Sequence, residues 1–470
     1  MTAPPRPPAT PPVPPPTLRG RREGSGAWPG RPSGVPAVVP PPGIPLCFLA
    51  AAAAGLVACG IALAWARTAA VADPTADPVL VPAHLGVLAT LSMGVMGALH
   101  QFTPVVTQRP LRSLWLARAT FVTWLGAAWL IPVGVGLQRE WLVEVGGGLA
   151  GTAVTLLVVN LTAPLTVRGK GHIVTGLRFA VAGFAVTACF GVTYVADRSG
   201  NWFALPGHTV LAHAVVGLFG WLGLAYVAVA EKLWPMFFLA HVPGRHLPGR
   251  LAVWLIPLGV SLLSPGLFFS VVALSWAGAV VLAAGLVAHL VSLAAHLRHR
   301  RRGGGLHLVF VVTAVGCLVA GAVLGLAAVL VMPRDHHGGM ELTAAAVAAC
   351  AGWLLEAFTG HAHKVVPFIV WSVLRGRGVA TGPAGRPLGF ADLYDHRLAA
   401  ITYALVTVGI AAVATGFAAT QPVALAVGGG LLAAAGLAAA VNLSVTPVLL
   451  LRGSHGVAAT PIPAAPQTRR

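Results

Sequence analysis

Three apolar stretches carry an ionisable residue four positions before a proline: His100 before Pro104, Glu231 before Pro235 and His363 before Pro367. The last two copies share a longer phrase, Gly220-Trp221-Leu222 with Glu231-Lys232 and Gly352-Trp353-Leu354 with His363-Lys364, and Gly97 holds in the first copy the place of Gly360 in the third. An ionisable side chain is costly in hydrocarbon, so a position that keeps one in three copies is read as functional. Imidazole ligates metals and haem and carries protons near neutral pH. Those are the chemistries to expect.

Other histidines divide by position. His84 and His213 stand about 20 residues ahead of the shared prolines and define an outer layer. His100, Glu231 and His363 define an inner layer about 25 Å deeper at the helical rise, with His361 and His241 nearby. His361 and His363 are two residues apart, so their rings should point to opposite sides of one helix. Regular helix geometry would put His213 and Glu231 on one face, and His84 and His100 on nearly opposite faces. Glu356, seven residues before His363, is expected to orient a histidine or to carry protons. His296 and His307, beside the Arg298–Arg302 run, are expected to snorkel toward headgroups, and His289 to play no cofactor role. His172, His208, His246, His299, His396 and His455 read as ordinary edge or loop residues.

Positioning these side chains requires a bilayer. Hydrophobic residues make up 57% of the chain and charged ones 9%, and the mean hydropathy is +0.82, which excludes a soluble globular domain. A span takes about 20 apolar residues, and the charged breaks delimit twelve. They run approximately over 46–66, 79–106, 113–137, 141–167, 172–196, 206–231, 251–264, 267–297, 306–331, 341–374, 398–419 and 423–451. Ser264-Pro265-Gly266 is the turn signal dividing the seventh from the eighth. The fold class is therefore an all-α integral membrane protein, with about twelve transmembrane helices in three pseudo-repeats of four. Residues 1–42, rich in Pro and Arg, are expected to be a disordered cytoplasmic tail, 43–453 the bundle and 454–470 a second cytoplasmic tail.

Lys and Arg crowd alternate loops, at Arg109 and Arg112, Arg168 and Lys170, Lys232–Arg250, Arg298–Arg302 and Arg375–Arg397, whereas Asp73, Asp77, Glu140 and Asp197 balance the bases of the others. That asymmetry predicts both termini in the cytoplasm of a bacterial-type inner membrane. The formal charge of +18 is thus a topology signal, and nucleic acid is not an expected partner. The five cysteines lie in apolar segments without Cys-x-x-Cys spacing, against disulfides and thiolate metal sites.

On these residues the chain resembles the haem-copper oxidase subunit I superfamily, especially its cbb-type oxidase and nitric oxide reductase branches. That family has twelve spans in three pseudo-symmetric sets, with cofactor ligands on the second, sixth and tenth, where the present repeat falls. His84-Leu85-Gly86 through Pro104 and Gln108-Arg109 is similar to the family's second helix, whose histidine binds the low-spin haem. His213 with Gly217 and Gly220-Trp221 looks like a ligand-bearing sixth helix, and His361-Ala362-His363 like the His-x-His of the tenth. His336-His337, just before the tenth span, offer a substitute pair. The resemblance implies haem, b-type, at His84, His213, His361 and His363, with copper as a second metal, and the repeat residues His100 and Glu231 join His336 and His337 as metal candidates. It implies respiratory subunits and a cytochrome or quinol electron donor as partners. The chain departs from the family at the seventh span, where the copper-ligating His-His pair has no counterpart in Leu251–Ser264, so oxygen reduction is not expected.

Three functions are compatible with this reading: electron transfer or handling of nitric oxide or oxygen by a haem protein, a proton- or metal-ion-coupled transporter, and a cofactor-free subunit assembling with an oxidase.

Overall fold

Long runs of Ala, Leu and Val, with every backbone group satisfied within the segment, leave helices as the economical way through hydrocarbon. The computed structural model describes residues 38–168, 171–202, 207–242, 247–379, 381 and 387–456. The expected tails fall almost entirely outside these residues, as do Lys170, His246 and the side chain of His455. Among the described residues, twelve helices are long and apolar enough to cross a membrane: α1 Gly43–Ala72, α2 Asp77–Thr107, α3 Leu114–Gly136, α4 Glu140–Leu165, α5 Gly171–Gly200, α6 His208–Phe238, α7 Leu247–Phe268, α8 Val272–Arg298, α9 Gly305–Val331, α10 His336–Gly376, α11 His396–Ala418 and α12 Pro422–Val445. The protein is an all-α, multi-pass membrane protein.

The division between α7 and α8 lies later than Ser264-Pro265-Gly266. Pro265 sits inside α7, and the chain turns at Ser270, whose φ is +57°. That turn is one of three copies. Gln138, Ser270 and Thr420 all adopt left-handed backbone (φ +54°, +57° and +51°), and just after them Arg139, Val271 and Gln421 donate their N–H groups to the carbonyls of Gly134, Gly266 and Gly416, each at 2.8 Å. The same glycines let the helices touch. A Cβ on Gly134, Gly266 or Gly416 would lie 2.8, 2.5 or 2.9 Å from the backbone nitrogen of Val143, Ser275 or Leu425. The hairpins α3–α4, α7–α8 and α11–α12 are thus built alike, as three pseudo-repeats of four require. A further copied device ties the first and last hairpins at their other ends. Asn160 Oδ1 accepts from the N–H of Ser113, the cap of α3, and Asn442 Oδ1 from that of Asp395, the cap of α11, both at 2.9 Å.

The repeat is closest between α2 and α6. Each runs as a short α segment, eight residues of π-helix (Leu85–Ser92 and Val216–Gly223) and fifteen of α-helix (Met93–Thr107 and Leu224–Phe238), then stops at a left-handed residue, Gln108 or Leu239. In α10 the corresponding stretch is uninterrupted α-helix. These three helices form the interior. Their most apolar windows are 61%, 61% and 56% buried, against 17–44% for the other nine. Trp221 of α6 donates to Ser92 of α2 at 3.0 Å, and Trp353 of α10 packs on Tyr226 and Phe219 of α6 with ring centroids 5.7 and 6.2 Å apart. The ring closes where α1 meets α12 at Gly60 and Gly429.

The outer rim is braced by charge. The guanidinium of Arg198, at the end of α5, bonds both oxygens of Asp77 at 2.9 and 2.6 Å and Glu140 at 2.8 Å, joining the starts of α2 and α4. The acid–base balance of these loops is an ion-pair network.

Candidate functional site

His84 ends the first α segment of α2, and its Nδ1–H donates to the Leu80 carbonyl at 2.8 Å. This i−4 bond fixes the tautomer and leaves the Nε2 lone pair outward. His213 lies near the corresponding end of α6, half-buried, its Nδ1 buried without a partner. Its ring rests on Tyr194 and Phe190 of α5 at 5.7 and 6.2 Å. The two outer-layer histidines thus lie near corresponding ends of α2 and α6. His84 directly precedes one π segment and His213 stands three residues before the other, a local widening frequent at functional sites. Beside them an apolar groove of about 480 Å³ between α5, α6 and α7 is lined by Phe190, Val216, Val260, Ser264 and Phe268.

The π segments also change the angular reading of the sequence. Winding i→i+5 turns the chain less per residue than the α-helix does, so the face shared by His213 and Glu231, and the opposition of His84 and His100, do not carry through Val216–Gly223 and Leu85–Ser92.

The inner layer resolves into separate surroundings. His100 is fully buried, donates from Nδ1 to Met96 O at 2.8 Å and packs on Phe48 of α1 at 5.3 Å. His363 donates to Thr359 O at 2.8 Å and stacks on Phe310 of α9 at 5.8 Å. Glu231 is buried because α6 continues two turns past the expected end of the span. Its Oε1 accepts from Ser292 of α8, and its Oε2 lies 3.7 Å from Nε2 of His172 on α5. Each residue thus faces a helix of its own repeat. Among the described residues no group of three or more His, Cys, Asp or Glu is arranged to hold a metal ion.

His361, which donates from Nδ1 to Ala357 O at 2.7 Å, faces Tyr226 and Phe237 of α6, away from the surroundings of His363, as the two-residue spacing requires. Glu356 bonds Thr407 of α11 through Oε1 at 2.6 Å, and its buried Oε2 has no partner, so it does not orient a histidine ring through that bond. His336 and His337 are exposed at the start of α10, with His337 Nε2 3.7 Å from Glu341 Oε1.

His296 and His307 correct the sequence reading, being 4% and 3% exposed, and His289 beside them is 1% exposed. None snorkels. α6 presents Trp234 to His289 and His296 (5.0 and 6.0 Å), and Phe237 and Phe238 to His307 (5.1 and 5.8 Å), so the rings are sealed by aromatics. One signal was available: His289, Ser292 and His296 recur at helical spacing and share one face of α8. Tyr226, one of four tyrosines, gave no sequence signal yet bridges His289 and His361 at 5.4 and 5.7 Å.

Ring nitrogens without partners are the common property. Nε2 of His100, His361 and His363, Nδ1 of His213 and His289, and both nitrogens of His307 are buried and unbonded. Buried polar atoms are normally satisfied, so this donor set fits a group that takes imidazole lone pairs. In comparisons with known proteins, no family model matches the chain and no curated protein matches it.

Proposed function

We propose that this is a membrane haem protein of the kind its sequence resembles, with His84 and His213 as the iron ligands, acting in electron transfer or in the handling of a diatomic gas such as nitric oxide. The observation that carries the reading is the outer pair: imidazoles near corresponding ends of two interior helices, each within three residues of the start of a π segment. A haem between two imidazoles supplies a one-electron carrier. The chain's own residues supply the rest. The Leu80 carbonyl orients His84, Phe190 and Tyr194 close over His213, and Tyr194 is held by its bond to Thr209 O at 2.8 Å. In this reading both termini are cytoplasmic, the membrane is a bacterial inner membrane, and the electron donor is a cytochrome or quinol.

The test is an optical spectrum of protein purified from a haem-replete host. A Soret band with a reduced α-band, lost in His84→Ala and His213→Ala but kept in His336→Ala, is the expected result. A colourless protein overturns the reading.

A second reading, a proton-coupled transporter, is favoured by one observation: half-buried His172, buried Glu231 and buried Ser292 form a continuous polar line inward from the start of α5. Proton-coupled flux in vesicles that is lost in Glu231→Gln would support it, and flux unchanged by that substitution would exclude it.

A further inference from the structure

Arg298, Arg300, Arg301 and Arg302 crowd the junction between α8 and α9, all exposed, and none of them forms an ion pair among the described residues. The junction is seated firmly all the same. The N–H groups of Arg301 and Arg302 both donate to the Phe238 carbonyl at the end of α6, at 3.1 and 3.2 Å. The helix that follows, α9, begins without a cap: no side chain bonds its first N–H groups, and no acidic residue stands in its first turn. Gly303 and Gly305 border open space, where a Cβ would meet nothing within 4 Å. The third residue of α9, His307, is 3% exposed with both ring nitrogens unbonded, and helical side chains lean toward the N-terminus. A neutral imidazole carries one N–H, so a further donor without an acceptor sits in the same turn. Unpaired guanidinium groups and the positive end of a helix with open N–H groups together call for an anion.

The rest of α9 shows what kind of molecule carries that anion. Val309, Val312, Gly316, Val319 and Val323 follow Gly305 at steps of four and three, the spacing of one helical face, and all of them are exposed, the valines by 42% to 62%. A Cβ on Gly316 would also meet nothing within 4 Å, so the stripe is notched at its middle. Only 22% of the most apolar window of this helix is buried. A cationic end and an open apolar stripe thus lie on one helix in the order of a lipid's head and tail.

We infer that α9 is a binding surface for an anionic phospholipid, its phosphate seated at the arginine junction and the N-terminus of the helix and an acyl chain lying along Val309–Val323. Free phosphate would use the junction and leave the stripe idle. A neighbouring helix would cover the stripe and leave the arginines without a counter-charge. Basic side chains at a membrane surface attract anionic headgroups by about fivefold in affinity each. The surface shares no residue with the outer histidine pair and stands whether or not haem is bound there.

The experiment uses the full chain in detergent, offered equimolar dioleoyl-phosphatidylglycerol and dioleoyl-phosphatidylcholine, with retained lipid counted by native mass spectrometry. The expected result is retention of phosphatidylglycerol over phosphatidylcholine, undisturbed by excess inorganic phosphate. Arg300→Gln/Arg301→Gln/Arg302→Gln should weaken that retention on the order of 100-fold, and Gly316→Leu, which fills the notch, should weaken it with the arginines intact. Arg109→Gln/Arg112→Gln, at another basic junction, should leave it unchanged. Equal retention of the two lipids, displacement by inorganic phosphate, an equal loss in the Arg109→Gln/Arg112→Gln variant, or a lipid-free dimer that Gly316→Leu dissociates overturns the inference. The comparison of the two lipids on the wild-type chain decides even where a variant does not fold. The haem spectrum is recorded on the same sample, so failure of the outer pair and failure of this surface are read separately.

Discussion

Trp221 and Ser92 join the two π segments: the indole N–H of the first donates to the hydroxyl of the second at 3.0 Å, with both side chains buried. The indole also stacks on Phe184 of α5, ring centroids 4.1 Å apart and nearly parallel. One bond therefore holds α2 and α6 in register just below the outer histidine pair.

Trp221→Phe keeps most of the ring and removes the donor, and should cost about 1 kcal/mol. Trp221→Ala also leaves a cavity and should cost about 3–5 kcal/mol. Thermal unfolding of detergent-solubilised protein orders the two. Equal losses would mean that the hydrogen bond, rather than the packing, dominates.

Arg198 holds Asp77 and Glu140 across three helix ends, with all three side chains partly exposed. Arg198→Ala should lower the melting temperature by a few degrees, and the wild-type advantage should shrink as salt rises toward 1 M, because exposed charges are screened. An advantage independent of salt would argue against a mainly electrostatic brace.

Gly249 makes room for Glu231. A Cβ there would lie 2.0 Å from Oε2 of the carboxylate. Gly249→Ala should destabilise by about 1–3 kcal/mol, and by much less in a Glu231→Ala background, since the colliding atoms are then gone. A double-mutant cycle on stability reads the coupling. Additive effects would place the strain elsewhere.

Deleting Leu88 from the first π segment should return it to α-helical winding and leave His84 on nearly the same face of α2, because the π turn adds a residue without adding a turn. The expected outcome is a retained haem spectrum with the far-ultraviolet circular dichroism unchanged. Loss of the spectrum would mean that the widened turn itself sets the ligand geometry.

Twelve spans and their three-fold grouping are legible in the sequence because both rest on composition and on residues that repeat in type, such as Gly220-Trp221 and Gly352-Trp353. The hairpin turns are not, since Gln138, Ser270 and Thr420 share a backbone conformation and no chemistry. The outer pair was found from depth alone, which needs only the helical rise. Facing is harder, because two π segments add residues without adding turns. His307 was misassigned because it stands next to arginines in the chain, whereas Phe237 and Phe238, which enclose it, come from a helix some seventy residues earlier.

α10 is 41 residues without interruption, about 60 Å of rod at the helical rise, against roughly 40–45 Å for a bilayer with its headgroups. Its last turns are clasped from outside: Trp371 donates to Leu388 O at 2.8 Å, and its ring meets Phe390 at 5.1 Å. The protruding end and the clasp therefore continue the same helix that carries His361 and His363, with Pro367 set between the histidines and Trp371.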